Sequence, residues 1–131
     1  MNTETAVQTA VYQALVAAPL TDAPAITDHP PTDDDGDYPS IQIGETMVLS
    51  DDVSCADGAE TYQTLHVWSR YRGQRQTKRI IGEIHDALHG ASLSVAGLQS
   101  CHVLIEQWRV MDDPDGLTRH GVVVLTIHQR T

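Results

Sequence analysis

His85 and His89 stand four apart in His85-Asp86-Ala87-Leu88-His89, a spacing at which one helical face could offer two imidazoles to a zinc ion. The rest of a zinc hydrolase is missing. The shorter Asp86 takes the place of the general-base glutamate of the H-E-x-x-H pattern, and no third ligand follows. On a helical wheel both histidines align with Lys78 on the flank of an isoleucine stripe, so a solvated helix edge is the stronger reading. The acidic runs Asp33-Asp34-Asp35-Gly36-Asp37 and Asp112-Asp113-Pro114-Asp115-Gly116 invite a calcium reading and fail it. An EF-hand loop needs glycine at position 6 and glutamate at 12. Counting from Asp33 puts Tyr38 and Gly44 there, and setting Gly116 at position 6 puts Met111 first and Val122 twelfth. There is no glycine-rich phosphate loop, no G-x-S-x-G elbow and no Ser/His/Asp or Cys/His grouping. The expectation is a protein that is not an enzyme, with no metal and no cofactor.

Charge is the other chemistry on offer. Five of the eight basic residues, Arg70, Arg72, Arg75, Lys78 and Arg79, fall in one segment, while the whole chain carries a net charge of -10. The first 60 residues hold twelve Asp/Glu and no Lys or Arg; the remainder hold six and eight. Nucleic-acid binding would want aromatic residues interleaved with the cations, and Tyr71 alone is so placed. A chain polarised in this way can instead attract copies of itself head to tail. The alternative is an acidic half that only aids solubility. Arg70, Arg72, Arg75, Lys78 and Arg79 are therefore the candidate subunit–subunit interface, with Trp68 and Trp108 as candidate interface or core-strand residues.

The elements that must position these groups follow from periodicity. Val7, Ala10, Val11, Ala14, Leu15 and Ala18 recur at helical spacing over residues 3–18, with Thr3 able to cap the start and Pro19 ending the helix. Residues 19–39 contain five of the six prolines and the first aspartate run, and read as an exposed loop. Ile41 and Ile43 alternate with polar neighbours from Tyr38 to Glu45, the pattern of a half-buried strand that Met47, Val48 and Leu49 could prolong past a bulge at Gly44. Residues 50–60 read as a loop. Tyr62 to Tyr71 is the next strand, with Leu65 and Val67 on one face and Tyr62, His66 and Trp68 on the other. A helix from Gly73 carries Ile80, Ile81, Ile84, Ala87 and Leu88 on one stripe and stops at Gly90. Ala91 to Val95 is a short strand or connector. Cys101 to Met111 and Leu117 to Gln129 are long strands joined by the Pro/Gly turn, each arm reaching roughly 35 Å at about 3.3 Å per residue. Apolar residues on both faces of Val122 to Ile127 suggest pairing or packing beyond the chain's own subunit, or else an ordinary central strand.

A length of 131 residues fits one domain. No apolar run approaches a membrane span, and the N-terminus lacks the form of a secretory leader, so a soluble protein made in the cytoplasm is expected. Cys55 and Cys101 form no C-x-x-C pair and are expected to be reduced thiols.

The order of these features resembles a known family. An amphipathic N-terminal helix is followed by a Pro-rich loop, Tyr38-Pro39 entering Ile41-Gln42-Ile43-Gly44-Glu45, then His66-Val67-Trp68-Ser69-Arg70. Next come Lys78-Arg79-Ile80 leading to Asp86-Ala87-Leu88-His89-Gly90, and Asp113-Pro114-Asp115-Gly116-Leu117-Thr118-Arg119-His120-Gly121. The set resembles the tail terminator, or tail completion, family of phages with long non-contractile tails and of gene transfer agents. The resemblance implies an α/β (α+β) fold, a mostly antiparallel sheet flanked by two helices. It implies a structural protein of the tail of a virion or virus-like particle, assembled in the host cytoplasm. Such a protein would form a homohexameric ring that caps the tail tube, halts tube growth and joins the head-side connector or stopper. Its partners would be itself, the tube protein, that connector and double-stranded DNA passing through without specific binding, with no membrane. The Pro/Asp-rich stretch 27–37 departs from the family pattern. For DNA to slide through, carboxylates would line the channel, which makes Asp51, Asp52 and Asp57, or Asp112, Asp113 and Asp115, the candidate channel-facing groups. The competing expectations are a soluble adaptor or chaperone that leaves before the tail is finished and, last, a metallohydrolase built on His85 and His89.

Overall fold

The computed structural model describes residues 3–131. Helix α1 spans Glu4–Ala17 and buries Val7, Val11 and Leu15, one residue per turn. Thr3 occupies the cap position without a side-chain cap bond; its carbonyl accepts from the Val7 N–H at 2.8 Å instead. Ala18, held extended before Pro19, ends the helix.

The stretch expected to be loop between residues 19 and 39 holds a strand. β1, Ala25–Thr27, pairs in parallel with the start of β2, Ser40–Ser50, setting Ile26 beside Ile41. Three residues are too few to show an alternating pattern, which is why the prolines and aspartates around them dominate the sequence signal. A single 3-10 turn, Asp35–Asp37, follows, its Gly36 N–H donating to the Asp34 carboxylate at 2.9 Å.

β2 slips register between Ile43 and Thr46, at the bulge expected near Gly44. A Cβ on Gly44 would come within 2.6 Å of the His66 ring, so the bulge is also where that ring packs in the space a side chain would take. β3 runs over Gly58–Ser69, beginning before the expected Tyr62 and ending before Tyr71, so the loop expected over 50–60 shrinks to 51–57. Helix α2, Arg75–Leu88, buries Thr77, Ile80, Ile81, Ile84 and Leu88. Gly90, at φ +78°, takes the left-handed turn that a side chain would oppose. Residues 91–95 form no strand and make one bridge, Ser92 to His102.

β4, Ser100–Asp112, and β5, Arg119–Arg130, form the long hairpin. The sheet order is β1-β2-β3-β5-β4, antiparallel apart from β1. β5 is therefore central and bonded on both edges within the chain, which corrects the idea that its two-sided apolarity signals pairing with another subunit; β4 is a border strand whose first half is bonded by residues 90–93. Both helices cover one face, where Ile41, Leu65, Val67, Val103, Leu125 and Ile127 meet the helix stripes. A second bulge, between Ile105 and Gln107, reverses the alternation of β4, so Ile105 and then Trp108 and Val110 face the helices. The other face is bare of helices and carries Tyr62, His66, Trp68, His120 and Thr126.

Candidate functional site

The basic segment divides into two kinds of residue. Arg70, at the end of β3, is spent inside the chain. Its Nη1 donates to the Asp33 carbonyl and to Asp35 Oδ1, both at 2.7 Å, and its Nε donates to Thr118 Oγ1 at 3.2 Å. The guanidinium also lies 4.3 Å from the Tyr38 ring centre. Thr118 passes the contact on, donating to Asp115 at 2.7 Å. Arg79 forms a two-pronged pair with Asp22, at 2.7 and 2.9 Å, which holds the Asp22 carboxyl below its ordinary range. Two of the five candidate interface cations thus pin residues 19–39 to the body. Arg72, Arg75 and Lys78 are exposed and make no ion pair among the described residues.

The two tryptophans lie on opposite faces. Trp68 is half-buried on the bare face, donating to Gln42 at 3.1 Å and stacked on His120 with ring centres 3.9 Å apart. Trp108 is 50% exposed on the helix face and forms a wall of a groove of about 670 Å³ between α2 and β4. His85 meets its ring edge-on at 5.4 Å.

The candidate channel groups separate to opposite ends of the sheet. Asp51, Asp52 and Asp57 sit in the β2–β3 turn, where Asp51 pairs with Arg130 at 2.8 Å, Asp52 accepts from the Gly58 N–H at 3.0 Å, and the Asp57 main chain bonds to Thr131. Asp112, Asp113 and Asp115 sit in the β4–β5 turn at the other end, beside Asp33 and Asp35. There Asp112 pairs with Arg119 at 3.1 Å, and Asp115 caps the Leu117 and Thr118 N–H groups, each at 2.8 Å. The Thr118 hydroxyl, and then these two N–H groups, hold the Asp115 carboxyl below its ordinary range.

The histidine pair on α2 does not converge on a metal position. The His85 and His89 rings stack 4.5 Å apart, and His89 Nδ1 accepts from the Ile105 N–H at 2.9 Å. Among the described residues no group of three His, Cys, Asp or Glu could hold a metal ion. Cys55 is exposed in the β2–β3 turn, Cys101 is buried, and both thiols are free.

One polar cluster was not anticipated from the sequence. On the bare face His66 Nε2 bonds Glu45 at 2.8 Å, and its Nδ1 lies 2.7 Å from His120 Nε2. The hydrogen bond with His66 holds Glu45 below its ordinary range; burial, and then the neighbouring His66, hold His120 down too. The participants come from three strands, and alternation alone would have put His66 and His120 merely on some face.

Comparison with known proteins agrees with this architecture. In the solved virion of a native gene transfer agent (GTA) particle, one chain superposes with a TM-score of 0.84 at 21% identity, covering 98% of this chain and 97% of that one. No curated protein matches. The family described as Tail completion protein gp17 matches residues 5–130, from the first turn of α1 to the last residue of β5. By that match the chain belongs to the tail completion protein gp17 family and is a structural protein of the virion tail.

Proposed function

We propose that this protein is the tail terminator: copies of it form a homohexameric ring that caps the finished tube, stops further polymerisation and presents a surface to the head-side connector. The family match over residues 5–130 carries this reading. The near-complete overlap with a chain of a gene transfer agent virion supports the fold it requires. Ring closure needs unlike patches on one subunit, and the exposed Arg72, Arg75 and Lys78 on one side with Asp51, Asp52 and Asp57 on another supply them. The chain acts as one domain through fit and charge, and no covalent chemistry is assigned to it. Of the two acidic turns, Asp112, Asp113 and Asp115 face the channel, because the aspartates of residues 33–37 join them there to form the larger carboxylate group. There carboxylates outnumber the arginines Arg70 and Arg119, both already paired with aspartates, so DNA finds little counter-charge against which to release counterions.

Electron microscopy of particles made without this protein tests the reading. Tubes of uncontrolled length lacking heads are expected, together with a fixed multiple copy number of the chain in purified wild-type particles. Tubes of normal length, or a chain absent from purified particles, would sink the terminator reading; the latter result favours an adaptor or chaperone.

A further inference from the structure

We propose that the groove between α2 and the second half of β4 receives the β2–β3 hairpin of a second copy of this chain, a contact that rests on the ring reading and specifies its geometry. The groove is lined by Ile81 and Val110, and Trp108 stands half-exposed beside them. Gly82 leaves it open on the helix side, with no atom within 4 Å of where a Cβ would be. Lys78 lines the groove, and Arg75 lies one turn back on the same helical stripe. Asp86 is the acid in the lining, one turn beyond Gly82.

The hairpin has the complementary character. Met47, Val48, Leu49 and Val53 are exposed at 55, 38, 47 and 51%. They lie past the point where β1 covers the border of β2, since that pairing ends at Gln42. Among the described residues nothing shields this apolar end, and a bare strand border of such composition ordinarily meets a partner. Carboxylates accompany the apolar residues: Asp52 and Asp57 are exposed in the turn, and only Asp51 has an arginine beside it. Seating the hairpin brings Leu49 and Val53 against Trp108 and Ile81, and the turn carboxylates against Lys78 and Arg75. The favourable terms are burial of apolar surface on both partners and attraction between opposite charges.

Placement on the sheet selects a second copy as the occupant. β2 lies towards one border and β4 is the other, so each molecule presents hairpin and groove on opposite sides. Such a contact leaves one hairpin and one groove free after each addition, the heterologous arrangement that a ring closes.

Cys55, free and exposed in the hairpin turn, provides the test. Particles are assembled from chains carrying Gly82→Cys or, separately, Asp86→Cys, both at exposed positions of the groove. They are treated with a mild oxidant or a short bis-maleimide and run on a denaturing, non-reducing gel. A ladder of linked multimers is expected from either variant, lost when Cys55→Ser is added. No ladder is expected from Val16→Cys, on the exposed side of α1. If purified particles retain several copies per tail and neither groove variant links, or Val16→Cys links instead, this contact is wrong while the ring reading stands. Particles that retain a single copy, or none, would remove the ring reading itself.

Discussion

Arg70 ties together groups that the chain order keeps far apart: Asp33 and Asp35 between β1 and β2, Tyr38 just before β2, and Thr118 in the last turn. A planar fork with several donors can serve such a set, and an ammonium cannot. Arg70→Met is therefore expected to lower the thermal midpoint and to open residues 28–37 to protease cleavage, with Arg70→Lys recovering part of the midpoint but not the protection. Limited proteolysis followed by mass spectrometry checks it. The sequence shows Arg70 only as one cation in a basic segment, because nothing local reveals partners more than thirty residues away. The Glu45–His66–His120 chain carries a pH dependence of definite sign. At 2.7 Å one ring of the histidine pair must accept, so the two cannot both be imidazolium in this arrangement. His120 and Glu45 are both held below their ordinary values of 6.5 and 4.5. The unfolded chain therefore binds more protons as pH falls, and stability present above those values is lost as pH drops through the folded ones. Asp113, Arg109 and the Glu45 carboxylate also act on His120, the acids favouring and the arginine opposing its charge. The thermal midpoint is expected to start falling below pH 6.5, with His120→Phe, which keeps the stack on Trp68, flattening that first part of the decline. A midpoint that does not change across that range would refute the coupling.

Helix α2 and strand β5 meet over Gly121, where a Cβ would lie 2.8 Å from Ile81 Cδ1 and 2.9 Å from Thr77 Cγ2. Both neighbours are buried, so Gly121→Ala overpacks the layer and is expected to destabilise by about 1–3 kcal/mol. Gly82, in the same helix but over open space, predicts the reverse: Gly82→Ala is expected to stabilise by up to about 1 kcal/mol through helix propensity alone. Urea titration of the two variants measures both signs. The contrast also shows what could be read in advance at this scale. The isoleucine stripe of α2, its stop at Gly90, the α1 stripe and the bulge near Gly44 were legible, because each rests on local periodicity or on one residue's backbone freedom. β1 was not, being three residues long and stabilised by parallel partners fifteen positions away. The face of Trp108 was not either, since the bulge after Ile105 reverses which residues of β4 look towards the helices. Without that reversal Trp108 would join the bare face, and the groove that it helps to line would have no wall on that side.

The whole molecule is strongly anionic, at -10, yet its carboxylates are not spread evenly: they gather at the two ends of the sheet, around 51–57 at one and around 33–37 and 112–115 at the other. If the first end is taken up by a neighbouring copy, the second is the one left to face a channel, and symmetry repeats its charge around the ring. An isolated reversal there is multiplied in the same way. Asp113 is the suitable position, because its side chain forms none of the turn bonds that Asp112 and Asp115 make. Asp113→Lys changes the charge by two at every copy and gives phosphates a cation against which to release counterions, an attraction that weakens as salt rises. Particle number and tail length are expected to stay at wild-type levels, since Asp113 lies outside the proposed contact between copies, while DNA delivered per particle falls and partly recovers when ejection is carried out at higher ionic strength. Counting particles by electron microscopy and measuring ejected DNA over a salt series separates the two effects. Unchanged delivery at every salt would place these carboxylates outside the channel and turn attention to the opposite end of the sheet.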